Sequence, residues 1–494
     1  MKKSTITAIT LENFKAFGVR TTIPIKPLTV LSGMNSSGKS SIYQSLLLLA
    51  QSRLKAYAVG NSLVYSLVLN GDLIHIGKSD DIFYDKNSHI ATIGLRFSSG
   101  KEIISSFTKC KNGIEDILQL SNQYVKDDNF SYSVSLIDGL YQVKADNYFQ
   151  FFDNSLFNAM EKWLDENAGD RSSLSCKGYA SHIELQKVKS IHMQGESLYL
   201  VRIDKEYIRN LIDSSIIDRM DDSEIKNLVE RVDECVGNKG IIDLIPGYHV
   251  QAPIDFSLHA INFIPPFRGF PKRFYSIIEK ECFAYDYEVI KDKITIYRYE
   301  NDKKIKDTFQ IALNYWVNVF LGENKKIEVK NLEGLVQVVY IEDEKNNQCI
   351  PLNNLGFGVG QILPILYKCL SAGPGRLLII DEPETHLHPS MQSKLADFFI
   401  QMALLGRKII VETHSEYILD KLIYHCIKTS KARDVTELYW VTNDSDGSSA
   451  LPIAYDDLGY VSNAPEGFLS EKAKLVEELT TLRFAKLDNI GVGL

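Results

Sequence analysis

The sequence has no apolar run approaching the roughly 18 residues that a membrane span needs; its longest pure run, residues 46–50, is short. It also lacks the apolar core of an export signal. The opening Met1-Lys2-Lys3 leads only into polar and charged residues such as Ser4, Thr5, Glu12, Asn13 and Lys15. The seven cysteines are scattered from Cys110 to Cys426 with no Cys-x-x-Cys pair, which argues against a zinc site or a disulfide framework. Free thiols and the missing signal lead us to expect a cytoplasmic protein. Neither an internal repeat nor a low-complexity linker is present. Positive charge is not in excess: the net charge of −8 weighs against the whole chain coating nucleic acid, although a local basic patch stays open.

What is present is a soluble, globular composition, 45% hydrophobic and 24% charged. At 494 residues the chain is too long for one ordinary core, so at least two domains are expected. Alternating β-branched residues predict a strand over 4–10, and an apolar stretch predicts a short buried strand over 27–32. A helix is expected over 39–54, with strands over 90–98 and 103–108. From 111 to 254 charge and helix formers rise, as in 157–167 and 206–235, with no sustained heptad. That stretch reads as an inserted, mainly helical region. Strands return over 293–300 and 335–342. A helix (359–372), strand (376–380), helix (390–405) and strand (408–413) then alternate as in a parallel α/β sheet.

Residues 33–40 read Gly-Met-Asn-Ser-Ser-Gly-Lys-Ser, a complete G-x-x-x-x-G-K-[ST] between an expected strand and an expected helix. Gly33 and Gly38 allow the backbone to wrap a phosphate, with Asn35, Ser36, Ser37 and Ser41 completing the loop. Lys39 is expected to reach the β- and γ-phosphates of ATP, and Ser40 to ligate Mg²⁺. Residues 377–382, Leu-Leu-Ile-Ile-Asp-Glu, place two acids at the carboxyl end of a buried strand, where open α/β sheets bind ligands. Asp381 suits the Mg²⁺ shell, and Glu382 suits a general base that polarises water. His414 follows the next strand. By itself it reads as a helix cap, but in this series it suits contact with the γ-phosphate. Gly358, Gly360 and Gln361 belong to a Gly-rich turn 23 residues before Asp381 as counted from Gly358, at a helix N-terminus that favours anions. Asp444 and Asp446 read as a hairpin turn rather than a metal site. Arg268, Lys272 and Arg273 form a basic cluster with two open readings, a solvated loop anchored by aromatics or a phosphate contact.

The order of these elements, with Leu11-Glu-Asn-Phe-Lys-Ala-Phe at the start and Asp-Glu-Pro-Glu-Thr-His-Leu-His-Pro at 381–389, resembles the SMC/RecF/OLD-like ABC-type ATPases. Residues 463–469, Asn-Ala-Pro-Glu-Gly-Phe-Leu, look like the C-terminal segment DUF3696 of prokaryotic members. The resemblance covers about residues 1–110 and 255–494. It implies an α/β ABC-type head, a mixed sheet with a parallel core plus an antiparallel lobe. The head would be split into an N-terminal part (1–110) and a C-terminal part (255–494) around the insertion at 111–254.

The resemblance also implies a mechanism. Two heads would sandwich ATP and Mg²⁺, with Gly358, Gly360 and Gln361 acting in trans and residues 383–387 crossing the interface. The chain would therefore pair with itself, as a dimer or a multiple of dimers. The family usually has Ser where Gly360 stands. Loss of a hydroxyl bonded to a charged phosphate costs on the order of 1.5–3 kcal/mol, which suggests slow hydrolysis. The shape further resembles the ATPase subunits of antiphage defence systems such as Septu and PARIS, which implies a separate nuclease effector. Only 80 residues follow His414, too few for the nuclease domain that OLD and Gabija proteins carry there. A RecF-type DNA-repair ATPase, with DNA as its partner, and a non-hydrolysing nucleotide sensor are the competing readings.

Overall fold

The computed structural model describes residues 5–52, 55–59, 62–109, 118–126, 131–137, 140–145, 261–269, 271–273, 275–276, 290–300, 303–332, 336–373, 375–456, 461 and 475–483. The chain begins with β1 (Ile6–Glu12), β2 (Thr21–Pro24), β3 (Leu28–Gly33) and α1 (Lys39–Ser52). Seven strands follow: β4 (Lys55–Val59), β5 (Ser62–Leu67), β6 (Ile90–Phe97), β7 (Glu102–Lys109), β8 (Leu118–Lys126), β9 (Ser131–Ile137) and β10 (Leu140–Ala145). The C-terminal part opens with β11 (Asn262–Ile264), β12 (Tyr275–Ser276) and the hairpin β13 (Thr295–Glu300)–β14 (Lys303–Thr308). Next come α2 (Phe309–Leu321), β15 (Lys325–Leu332), β16 (Val336–Asp343), β17 (Gln348–Pro351) and α3 (Phe357–Ser371). It closes with β18 (Leu377–Asp381), α4 (Pro389–Leu404), β19 (Lys408–Glu412), α5 (Glu416–Lys428), α6 (Ser430–Val435), β20 (Thr436–Asp444) and β21 (Gly447–Pro452).

These elements form two compact units, Met1–Thr5 with Lys15–Leu47 and Ala260–Leu494, and Ile6–Phe14 with Leu48–His259. The first unit is built on a sheet of order β11-β18-β19-β3-β20-β21. All its pairings are parallel except the final β20–β21 hairpin. Every residue of β3 and of β18 is buried, as expected of strands covered on both faces. Leu28, Val30, Leu378, Ile380, Ile409 and Val411 join Trp316, Phe309 and Phe398 from the helices in one core. Trp316 and Phe398 meet edge to face at 4.8 Å, a favoured aromatic geometry. The expected alternation of strand and helix from α3 to β19 is therefore present, and so is the hairpin around Asp444 and Asp446.

The second unit is an antiparallel sheet of order β10-β9-β8-β7-β6-β1, with β5 joining β8 and β4 joining β5. Here the stretch from 111 to 254, expected to be mainly helical, shows strands in its described residues. Those residues, 118–126, 131–137 and 140–145, are β8, β9 and β10, and β8 pairs with β7 across the boundary expected at 110. A bulge hides the pattern. The register shifts between Ser106 and Phe107 and skips Ser121, so buried positions run 118, 120, then 123, 125. The period of two that marks a strand is thereby interrupted. The helices expected at 157–167 and 206–235, and the segment 463–469, lie outside the described residues.

Candidate nucleotide-binding site

The turn between β3 and α1 is shaped for close approach. Gly33 has φ +148°, and a β-carbon there would lie 2.3 Å from the Val441 carbonyl oxygen. At Gly38, φ +97°, it would lie 2.3 Å from Ser448 Oγ and 2.8 Å from Ala16 Cβ. Only glycine fits such positions. Ser448 Oγ donates to the Ser37 carbonyl at 2.6 Å and pins the loop. Met34, Asn35 and Ser36 stay exposed at its rim. The loop runs directly into α1, whose first N–H groups lack intrahelical partners and carry the positive end of the helix dipole.

Lys39 opens α1 and is 3% exposed. Its ammonium donates to the carbonyls of Gly33 at 3.1 Å and Met34 at 2.7 Å. Burial lowers its pKa, opposed by the carboxylates of Glu412, Glu382 and Asp381. A buried cation thus lies across a cradle of backbone, an arrangement that suits a polyanionic phosphate chain.

Parallel pairing brings the acids to that cradle. β18 ends at Asp381, β19 ends at Glu412, and these two residues are register partners. Glu412 also pairs with Leu31 of β3, just before the loop. Asp381 is 9% exposed and Glu412 5%. Tyr43, from α1, donates to Asp381 Oδ2 at 2.6 Å, and Ser40 donates to Glu412 Oε1 at 3.1 Å. Burial raises the Asp381 pKa. Burial, reinforced by the charge on Asp381, pushes Glu412 up to about 7. Burial and the Asp381 charge push the Tyr43 phenol upward as well.

Glu382 adopts the left-handed φ of +42°, uncommon for a residue other than glycine. Its N–H donates to the Glu412 carbonyl at 2.9 Å, and Thr385 Oγ1 donates to its Oε2 at 3.3 Å. Glu384, whose pKa burial raises, accepts the His414 N–H at 2.6 Å. Burial, and secondarily the Lys39 charge, lowers the His414 imidazole pKa. Lys39, Ser40, Asp381, Glu382 and His414 therefore share one electrostatic environment.

Arg268 resolves one of the alternatives left open by the sequence. Its Nη2 donates to the carbonyls of Asp381 at 3.2 Å and Glu382 at 2.8 Å. Burial lowers its pKa to about 10, opposed by Glu384, Asp381 and Glu382. It is a bracket beneath the acid turn, not a solvated loop residue. Gln361, fully buried, holds the Arg268 segment in place. Its Oε1 accepts from Arg268 N at 3.3 Å, and its Nε2 donates to the Gly269 carbonyl at 2.9 Å. Gly358 lies against the His386 carbonyl and Leu387, and Gly360 lies against Pro271. Within one chain these three residues of α3 support the acid turn. Their described contacts do not run to the phosphate loop.

Magnesium fits the remaining chemistry. Glu412 Oε2 is buried and has no hydrogen-bond partner, leaving an acceptor aimed at nothing in the protein beside Ser40 and Asp381. Among the described residues no group of three or more His, Cys, Asp or Glu forms a ready-made metal cage. Magnesium does not ask for one, because it is commonly held by one or two carboxylates together with substrate phosphates. Ser40 and Asp381 would hold it.

Fold and site together define a phosphate-loop nucleotide-binding protein. The AAA ATPase domain family matches residues 5–131 and 272–419, more than half of the chain, and the chain belongs to that family. No curated protein matches it. Solved structures with a similar outline include the SMC head domain from Thermotoga maritima, 12% identical, covering 91% of this chain and 99% of that one, with a TM-score of 0.36. The Smc head domain with an extended coiled coil bound to the C-terminal domain of ScpA from Pyrococcus furiosus is 12% identical, with coverages of 97% and 100% and a TM-score of 0.36. The Smc head domain with a coiled coil and joint from Pyrococcus yayanosii is 11% identical, with coverages of 97% and 100% and a TM-score of 0.37. Likenesses this distant carry no argument about activity or partners. Among the described residues no helix is long and apolar enough to cross a membrane.

Proposed function

We propose that this protein is an ABC-type ATPase that binds ATP with Mg²⁺ and hydrolyses it slowly. The observation that carries the reading is the convergence of Lys39 and Ser40 with Asp381 and Glu412 at the carboxyl ends of β3, β18 and β19. Lys39 would exchange its carbonyl partners for the β- and γ-phosphates. Ser40 and Asp381 would hold Mg²⁺, which when bound offsets phosphate charge. Glu382, its backbone fixed between Glu412 and Arg268, would take the proton of the attacking water. His414 would contact the γ-phosphate.

The resemblance of motif order supports a shared site in which Gly358 and Gly360, near the start of α3, face the nucleotide of a second copy. α3 starts at Phe357 after its N-cap Gly356, and a helix N-terminus favours an anion. The working unit would be a dimer or a multiple of dimers. Its role, on the resemblance to defence-system ATPases alone, would be to gate a separate nuclease effector. Glycine at position 360, in place of the family's serine, favours slow turnover and keeps a nucleotide-sensing role in view.

The test is ATP-induced thermal stabilisation with Mg²⁺, measured alongside phosphate release. Wild type should be stabilised and release phosphate slowly. Lys39→Ala should lose the stabilisation. Unchanged stabilisation in that variant would remove the phosphate-loop assignment, and turnover at tens per second would remove the slow-hydrolysis reading.

A further inference from the structure

The Glu412 side chain is given no chemical task in the reading above, yet it occupies the centre of the site. It ends β19, the strand between β18 and β3, and faces Asp381 in register. A glutamate that is 5% exposed, beside two other acids, is costly to bury without compensation. Among the described residues it has no ion pair that would explain its place. Its one side-chain hydrogen bond comes from Ser40 Oγ, at 3.1 Å on Oε1. Its Oε2 is buried and unpartnered.

We propose that Glu412 is a positioning residue for the divalent cation, orienting the Ser40 hydroxyl through Oε1 and leaving Oε2 as an acceptor for the ion's hydration shell. The inference rests on the nucleotide-binding reading of the same site. The chemistry follows from what a serine ligand must do. A hydroxyl has one proton and two lone pairs. To offer a lone pair to a cation it must direct its proton elsewhere, and Glu412 Oε1 is the acceptor already in place. Magnesium keeps several of its waters when bound, and those waters need acceptors; Oε2 is free for one. Tyr43 complements this on the other side. By donating to Asp381 Oδ2 at 2.6 Å it fixes that carboxylate and leaves its other oxygen for the ion. Outer partners of this kind set ligand direction, and their loss commonly weakens metal affinity about 10- to 100-fold.

The experiment uses the full chain with Mn²⁺ as the probe, reading the free Mn²⁺ signal by electron paramagnetic resonance in the presence of a non-hydrolysable ATP analogue. Glu412→Gln keeps the shape and removes the charge. It should bind Mn²⁺ about 10- to 100-fold more weakly than wild type, with analogue affinity in EDTA unchanged. Glu412→Asp, whose shorter arm draws the carboxylate away from Ser40, should also bind Mn²⁺ more weakly and serves if the Gln variant does not fold. Wild-type Mn²⁺ affinity in either folded variant overturns the proposal. So does a loss of metal-free analogue binding as large as the loss of Mn²⁺ affinity. Failure of wild type to bind Mn²⁺ with the analogue would instead overturn the nucleotide-site reading, and this inference with it.

Discussion

Pro271 packs directly onto Gly360: a β-carbon at Gly360 would lie 2.2 Å from Pro271 Cγ and 2.9 Å from its Cδ. The serine usual at this position in the resembling family has no room here. The glycine is thus a packing requirement of this chain as well as a missing hydroxyl. Gly360→Ser should lower the melting temperature, since overpacking of this kind costs about 1–3 kcal/mol. Adding Pro271→Ala removes the ring atoms and should restore most of the loss. Only that double variant tests the hydroxyl. Slow turnover for want of a hydroxyl predicts that Gly360→Ser with Pro271→Ala releases phosphate faster than Pro271→Ala alone. A folded double variant that is no faster would sink that explanation.

The phosphate loop and the Asp381–Glu382 turn are legible in the sequence because their chemistry is local: a fixed spacing, an apolar strand, a helix start. Glu412 is not legible in the same way. A glutamate before Thr413 and His414 reads as an ordinary strand end, and only the register of β19 against β18 sets it beside Asp381. A search for acids at the ends of all predicted parallel strands could have found it. Arg268 lies 113 residues before Asp381, and no local pattern links them. Strand β8 escaped because a bulge at Ser121 breaks its alternation.

Arg268 supplies a second test. Its Nη2 links the carbonyls of Asp381 and Glu382 and so braces the left-handed turn that aims the Glu382 side chain. Arg268→Ala should lower kcat about 10- to 100-fold, matching the roughly 1.5–3 kcal/mol of a hydrogen bond from a charged donor. ATP-induced stabilisation should persist, because the phosphate loop is untouched. If binding and turnover fall together, Arg268 supports the whole site rather than the acid turn.

Glu382 and His414 separate turnover from binding. Glu382→Gln should still bind ATP, hydrolyse it at least tenfold more slowly by a rough allowance for a lost general base, and accumulate as the closed dimer. Light scattering with saturating ATP and Mg²⁺ should then report an even-numbered oligomer. A strict monomer would contradict the shared site, and a wild-type rate would show that the base is another group. His414→Ala should reduce turnover more than ATP binding; an equal loss of both would assign His414 to structure.

The acids of the site also give the fold a pH dependence whose sign can be measured. Burial and the Asp381 charge push Glu412 up to about 7 from an ordinary 4.5, and burial raises Asp381 and Glu384 in the same direction. A carboxyl with a higher pKa in the folded chain binds its proton more tightly there than in the unfolded chain. The stability it contributes is therefore complete below its unfolded pKa, and it is lost as pH rises through the folded value of about 7. Glu412→Gln cannot ionise and keeps a neutral group at that position. Without nucleotide or divalent cation, the melting temperature of the variant minus that of wild type should rise between about pH 5 and about pH 8. Most other carboxylates titrate alike in both proteins and cancel in that difference. A difference that stays flat across the range would show that Glu412 ionises as readily in the folded protein as in water, and that its burial carries no charge penalty for a cation to relieve.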